Sequence, residues 1–227
     1  MLYVVPTPIG NLQDITLRSK QVLEDSQYII CEDPRVTDKL LKLLDIRRDQ
    51  KYIQIIRSHN FNQTEIEKAL RIGKTNSIVS LVSDAGTPGL SDPGYDIIRL
   101  GQEMSIEYTV LPGANSVIPA IVASGIVPKD FLYLGFLPIK KGRQKTWESI
   151  IRSQYPVVIL ESVHRIEKIV AEMKEKLHPK SIVFFARELT KAFEQYQTMS
   201  VSDLNIDVIE QKGEFVIIIK NYNGKDN

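Results

Sequence analysis

Short runs rich in valine and isoleucine alternate along the chain with stretches in which apolar residues recur every three or four positions. Residues 2–5, 28–31, 52–56, 78–82 and 106–111 read as strands, being short, apolar and β-branched. The segments between them read as helices. Thr16 opens one that carries Leu17, Val22 and Leu23, and residues 36–44 place Leu40, Leu41 and Leu44 on one face. Asn62 followed by Glu65 makes a capping box ahead of Ile66, Ala69 and Leu70. Alternation of this kind predicts a mainly parallel, helix-covered sheet.

The rest of the chain has a different rhythm. Residues 117–124 predict a helix that Gly125 is suited to stop in a left-handed cap. Residues 131–136, 157–160, 182–186, 195–199 and 215–220 are strand candidates, with helices over 146–153 and 166–177. One short helix is expected between the last two strands, which points to a mixed sheet. The expected fold is therefore α/β in two domains, 1–114 with a mainly parallel sheet and 115–227 with a mixed one. Residues 221–227 read as a frayed polar tail.

Composition narrows the partners. The formal net charge is +1, so no global field draws in nucleic acid, and local patches would have to hold it. Cys31 is the only cysteine, which excludes an internal disulfide framework and a multi-cysteine metal centre. No signal-peptide pattern and no bilayer-length apolar run is visible, so the expected location is cytoplasmic, with no membrane partner.

Candidate chemistry sits where glycine, proline and aspartate fall. In open α/β sheets ligands bind beyond the carboxyl ends of the strands, and four of the first five strand ends carry unusual loops. These are Pro6-Thr7-Pro8-Ile9-Gly10-Asn11, Glu32-Asp33-Pro34-Arg35, the long run from Ser83 to Gly94, and Pro112-Gly113-Ala114-Asn115-Ser116. Glycine lets a ligand approach the backbone and proline fixes the turn. One such loop is ordinary turn chemistry; four along one edge point to a binding site. Neither a P-loop nor a G-x-G-x-x-G signature is present, which argues against phosphate-anchored nucleotides. Backbone contacts with Asp84 nearby suit a cationic or zwitterionic adenosyl compound better.

Residues 2–11 (LYVVPTPIGN), 16–23, 32–37, 82–95 (VSDAGTPGLSDPGY), 111–125, 135–138, 161–166 and 187–194 resemble, in that order, the ribosomal RNA small-subunit methyltransferase I family of the tetrapyrrole methylase superfamily. The resemblance spans nearly the whole chain, and 82–95 is its most specific stretch. It implies two α/β domains with S-adenosylmethionine in the cleft between them, and methylation of a cytidine 2′-oxygen in 16S ribosomal RNA. The chain departs from the family pattern at Pro34, where threonine is usual, at Ala114 and Asn115, where Pro-Ser is usual, and at Val163, where proline is usual. Many members also carry a small C-terminal domain that is not expected here.

The resemblance implies cofactor contacts for Pro8, Gly10, Asp84, Ala85, Gly86, Pro112, Gly113 and Ser116, although several of these also serve as plain turn-formers. Asp84 is expected to face the sulfonium or amino group, since Asp92 is better placed to cap the helix that follows. Ser124 reads as a helix-end residue. Glu32, Asp33 and Arg35 are either a local surface ion pair or a substrate contact. His59 and Asn60 could reach the same edge. Glu161, His164 and Arg165, with Arg187, Glu188, Lys191 and Glu194, read as an ion-pair network or as an RNA-phosphate clamp. Lys140, Lys141, Arg143 and Lys145 around Gly142 are a solvated charge run or the contact to the RNA backbone. Arg47, Arg48 and Lys51 make a second patch.

The expected chemistry is in-line methyl transfer, in which the protein's main task is alignment and an acceptor takes the hydroxyl proton. Glu32, Asp33, Glu161 and His164 are candidate bases. No metal-ligand spacing is visible. The expected partners are small-subunit ribosomal RNA or the assembled subunit, and a second copy in a homodimer. Carbon methylation of a tetrapyrrole and a catalytically silent RNA-binding protein remain the alternatives.

Overall fold

The computed structural model describes residues 1–46, 54–57, 63–75 and 77–224. Arg47, Arg48, Lys51, His59, Asn60 and the capping position Asn62 lie outside the described residues. Two compact units are present, Met1–Asn115 and Ser116–Asn227.

The N-terminal unit runs β1 (Leu2–Val4), α1 (Leu17–Asp25), β2 (Tyr28–Cys31), α2 (Pro34–Leu43), β3 (Gln54–Arg57), α3 (Gln63–Ile72), β4 (Val79–Leu81), α4 (Gly94–Glu103) and β5 (Tyr108–Val110). Its five strands lie in the order β3-β2-β4-β1-β5 with every pair parallel. Consecutive strand residues point to opposite faces, and the core divides accordingly. Ile30, Leu2 and Leu81 pack with Ile66 and Leu70 of α3 and Ile97 of α4. Ile29 and Cys31 pack with Val22 and Leu23 of α1 and Leu41 of α2. Helices thus cover both faces, as parallel sheets require. Local chemistry sets the helix starts. Thr16 Oγ1 accepts the Ser19 N–H at 2.9 Å, and Asp33 caps α2 with Pro34 in its first turn.

The C-terminal unit contains α5 (Val117–Ser124), β6 (Leu132–Phe136), α6 (Arg143–Arg152), β7 (Val157–Ser162), α7 (Val163–Lys176), β8 (Ile182–Arg187), β9 (Gln195–Ser200) and β10 (Glu214–Lys220). The order is β6-β7-β10-β8-β9. Only β6 and β7 pair in parallel, so the sheet is mixed. Gly125 ends α5 at φ 64°, the left-handed cap its sequence predicts. Trp147 and Ile150 of α6 and Ile166, Ile169, Val170 and Met173 of α7 bury one face.

Two expectations are corrected. Between β9 and β10 there are two 3-10 turns, Val201–Asp203 and Ile206–Val208, in place of one helix. Asn221 and Tyr222 are docked, not frayed. Asn221 Nδ2 donates to the carbonyls of Ile150 (2.6 Å) and Ser153 (3.1 Å), using acceptors left over at the end of α6. The Tyr222 ring stacks on His178 at 4.7 Å between centroids.

Candidate active site

The carboxyl edge of the N-terminal sheet is built by stitching its loops together. Thr7 and Gly86 exchange backbone bonds of 2.9 and 3.0 Å, joining the loops after β1 and β4. The Thr7 hydroxyl donates to Ser83 O at 3.1 Å. The Thr87 hydroxyl donates to Ala114 O at 3.0 Å, which ties in the loop after β5. The loop after β2 joins through the Asp33 N–H, which donates to Asp84 Oδ1 at 3.0 Å.

Glycine has distinct reasons along this edge. Gly86 is buried at φ +84°, a conformation that side chains resist. A Cβ on Gly113 would sit 2.7 Å from Pro6 Cβ and 2.9 Å from Pro6 Cγ. Close packing on Pro6 therefore demands glycine there, quite apart from the room a ligand needs. Gly10, Ala85 and Pro112 are exposed along the edge and Pro8 is half-buried. Asp92 accepts from the N–H groups of Gly89 (2.9 Å) and Gly94 (2.7 Å), so it builds the turn into α4 and releases Asp84 from that task.

Asp84 is half-buried, and burial pushes its carboxyl above the ordinary aspartate range, opposed by the Asp33 N–H. A cation beside it would relieve that desolvation. Asp33 is the opposite case. It accepts from the backbone N–H and the guanidinium of Arg35, which brings its carboxyl down to about 2. So weak a proton acceptor is poorly suited to the role of base, and Asp33 serves as the cap of α2 and the anchor for Arg35. Arg35 itself has a side chain 87% exposed. Burial pushes the Cys31 thiol up to about 11, so it stays neutral. Arg57 at the end of β3 is an edge residue that the sequence does not single out. Its Nε donates to Glu32 O at 3.2 Å, and its place at a strand end is the available signal.

In the C-terminal unit the basic residues divide into two groups. Lys140, Lys141 and Lys145 are exposed. Arg143 is buried: its Nε donates to Glu172 Oε1 at 2.8 Å and its Nη1 to Pro138 O at 2.7 Å. Arg187 is buried too, donating to Lys212 O (2.6 Å) and Phe193 O (3.0 Å). These internal bonds engage all three Arg143 donor nitrogens and two of the Arg187 ones, which disfavours both as contacts to RNA phosphates. Arg165 is half-buried between Glu161 (3.2 Å) and the carbonyl of Leu137.

Glu161 is buried, with Oε1 accepting the Ser162 N–H at 2.9 Å. Its Oε2 has no hydrogen-bond partner among the described residues, and burial pushes the carboxyl up. His164 is exposed in the first turn of α7. Ser116 opens α5 without a side-chain capping bond. Ser124 donates to Ile121 O at 2.7 Å, the role of a helix-end residue.

These features can be set beside known proteins. Residues 1–205 match the family described as Tetrapyrrole (Corrin/Porphyrin) Methylases. Among solved structures, the methyltransferase CobJ superposes with a TM-score of 0.67 at 17% identity, covering 97% of this chain and 93% of that one. Uroporphyrin-III C-methyltransferase from Thermus thermophilus, complexed with S-adenyl homocysteine, superposes with a TM-score of 0.63 at 14% identity over 96% of each chain. At such identities the likeness is one of fold. Sequence relatives are nearer. The protein named Ribosomal RNA small subunit methyltransferase I in Campylobacter fetus subsp. fetus (strain 82-40) is 38% identical over 226 residues, which are 96% of this chain and 83% of the relative. Its namesake in Mycoplasma genitalium is also 38% identical, over 98% of this chain and 80% of the relative. The chain belongs to the tetrapyrrole methylase family and, within it, to the ribosomal RNA small subunit methyltransferase I group. Among the described residues, no helix is long and apolar enough to cross a membrane.

Proposed function

We propose that this chain methylates the ribose 2′-oxygen of a cytidine in 16S ribosomal RNA, with S-adenosylmethionine as methyl donor. The observation that carries the reading is the 38% identity, over 96% of the chain, to a relative named for small-subunit ribosomal RNA. The stitched edge of the N-terminal sheet fits the donor. It offers a half-buried carboxylate at Asp84 for a positive charge, and backbone at Gly86, Pro112 and Gly113 for an adenosyl group. Bound there, the sulfonium supplies an electrophilic methyl group. The loops would have to place that methyl group for attack by the ribose oxygen, alignment being a main source of acceleration. Glu32, Glu161 and His164 are the acceptors we assign to the hydroxyl proton. Exposed Lys140, Lys141 and Lys145 hold RNA phosphates, and Arg35 stands at the N-terminal edge for the same purpose.

In this reading the enzyme works in the cytoplasm on naked RNA or on the assembled subunit, as a homodimer. Exposed Ile118 and Val122, one turn apart on α5, are apolar surface that a second copy would cover. Carbon methylation of a tetrapyrrole is disfavoured by the sequence relatives. The deciding assay supplies labelled S-adenosylmethionine and small subunits from a strain lacking this gene. Label on a cytidine ribose is the expected result; label on a base or on a tetrapyrrole, or binding of RNA without transfer, would overturn the reading.

A further inference from the structure

Two arginines converge on one short stretch of backbone in the C-terminal unit. Arg165 of α7 donates through Nη2 to the carbonyl of Leu137, and Arg143, at the start of α6, donates through Nη1 to the next carbonyl, that of Pro138. Each arginine is itself gripped by a carboxylate. Glu161 holds Arg165 Nε at 3.2 Å, and Glu172 holds Arg143 Nε at 2.8 Å. Leu137 is anchored in the core. The chain then surfaces in a turn, where the Arg143 N–H donates to Lys140 O at 3.2 Å and Gly142 adopts φ +87°. Lys140 and Lys141 are exposed on that turn, and Lys145 is exposed just inside α6.

Two guanidinium anchors on consecutive carbonyls are more than a solvated surface turn requires. A planar fork can bond a carboxylate and a carbonyl at once, which a lysine cannot do. A loop already held in one shape also loses less freedom when it meets a ligand.

We infer that Arg143 and Arg165 are positioning residues which fix the turn 139–142, so that Lys140, Lys141 and Lys145 meet the RNA backbone as a preset array of cations. The inference rests on the proposed RNA substrate and adds how its phosphates are received. It also explains why a basic loop in a charge-balanced chain contains one arginine, Arg143, that is buried among exposed lysines.

The test is a mutant cycle on the full chain. Glu172→Gln takes away the charge and one of the two acceptor oxygens that grip Arg143, while leaving every exposed cation in place. It is expected to raise KM for small-subunit RNA about fivefold, with kcat and the Kd for S-adenosylmethionine unchanged. Put into a Lys140→Ala/Lys141→Ala/Lys145→Ala background, Glu172→Gln is expected to add nothing further. Arg143→Lys should behave alike, since it keeps the charge and loses the fork, and it serves if the glutamine variant folds poorly. The inference is overturned if Glu172→Gln leaves KM for RNA unchanged, or raises it equally in both backgrounds. The unaltered protein in the same assay separates the two levels. Ribose methylation with a KM indifferent to Glu172 removes only the clamp, whereas no transfer to RNA at all removes both readings.

Discussion

The backbone N–H of Asp33 donates to Asp84 Oδ1 across 3.0 Å, so the loops after β2 and β4 share one carboxylate. Asp84 keeps a second oxygen, and burial raises its affinity for a proton, with the Asp33 N–H, Arg57 and Arg35 acting in the opposite direction. Asp33, held by Arg35, stays ionised down to about 2. Two aspartates in contact thus differ in state, one held ionised by an arginine and one pushed toward its neutral form by burial.

Asp84→Asn is expected to keep the bond from Asp33, since the amide oxygen still accepts, and to keep the fold. Affinity for S-adenosylmethionine should fall about tenfold, the scale of losing one charge partner. The pH dependence follows from the raised carboxyl. Only the ionised form pairs with a cation, so affinity is full above the raised value and declines as the pH drops through it. Calorimetry between pH 7 and 4.5 checks both points. An asparagine variant with unaltered affinity and an unaltered pH profile would remove Asp84 from the cofactor site.

Gly113→Ala is expected to destabilise the N-terminal unit by about 1–3 kcal/mol, the usual result of forcing atoms into a filled space. The added Cβ would lie 2.7 Å from Pro6 Cβ. Pro6→Gly removes that obstacle, so the double variant should lose clearly less than the sum of the two single losses. Urea unfolding measures all three proteins. Strict additivity would mean that Pro6 is not what excludes a side chain at residue 113.

The contrast between Gly125 and Gly113 shows what a sequence can disclose. Gly125 stops a helix whose last turn lies beside it in the chain, so its left-handed cap is legible, as is the Thr16 cap on α1. The strands are legible for the same reason, as Val- and Ile-rich runs bounded by turn residues. Gly113 answers to Pro6, more than a hundred positions away, and no local pattern carries that. Arg143 looks like a free cation in the sequence because its neighbours are lysines, whereas its partner Glu172 belongs to a later helix. Arg187 likewise has partners that its local sequence does not disclose, the carbonyls of Phe193 and Lys212. The insertion of β10 between β7 and β8 is a further case, since strand order is settled by packing across the whole sheet. Candidate loops can be found locally, but the fate of each charge depends on tertiary closure.

Arg143→Ala is expected to cost about 1–3 kcal/mol, because it leaves the half-buried Glu172 carboxylate without its main partner. The two side chains are 8% and 16% exposed, so solvent screens the pair little. Bonding to Arg143 holds the Glu172 carboxyl below the ordinary glutamate value. A lowered carboxyl contributes stability that is complete above its unfolded value, near about 4.3, and is lost as the pH falls through the lowered folded one. Glu172→Gln should therefore flatten the acid limb of a stability profile between pH 6 and 3. A limb of unchanged steepness would place the acid sensitivity elsewhere.

Lys140→Ala/Lys141→Ala/Lys145→Ala is expected to weaken RNA binding at every sequence tested, because phosphate contacts position a nucleic acid without reading it. Three exposed cations are involved, Arg143 being buried. Removing each cation should flatten the log–log dependence on salt by roughly 0.7 to 0.9 of a unit, or about two to three units for the triple variant. Adding a substitution at Arg143 should not lower the slope again, although it lowers stability, since a guanidinium spent on Glu172 and Pro138 releases no counterion when RNA binds. Filter binding across a salt series, with folding checked by unfolding midpoint, separates the two effects. A fourth increment of slope on replacing Arg143 would show that its guanidinium leaves the carboxylate to reach the RNA, and the loop would then be a mobile clamp instead of a fixed one.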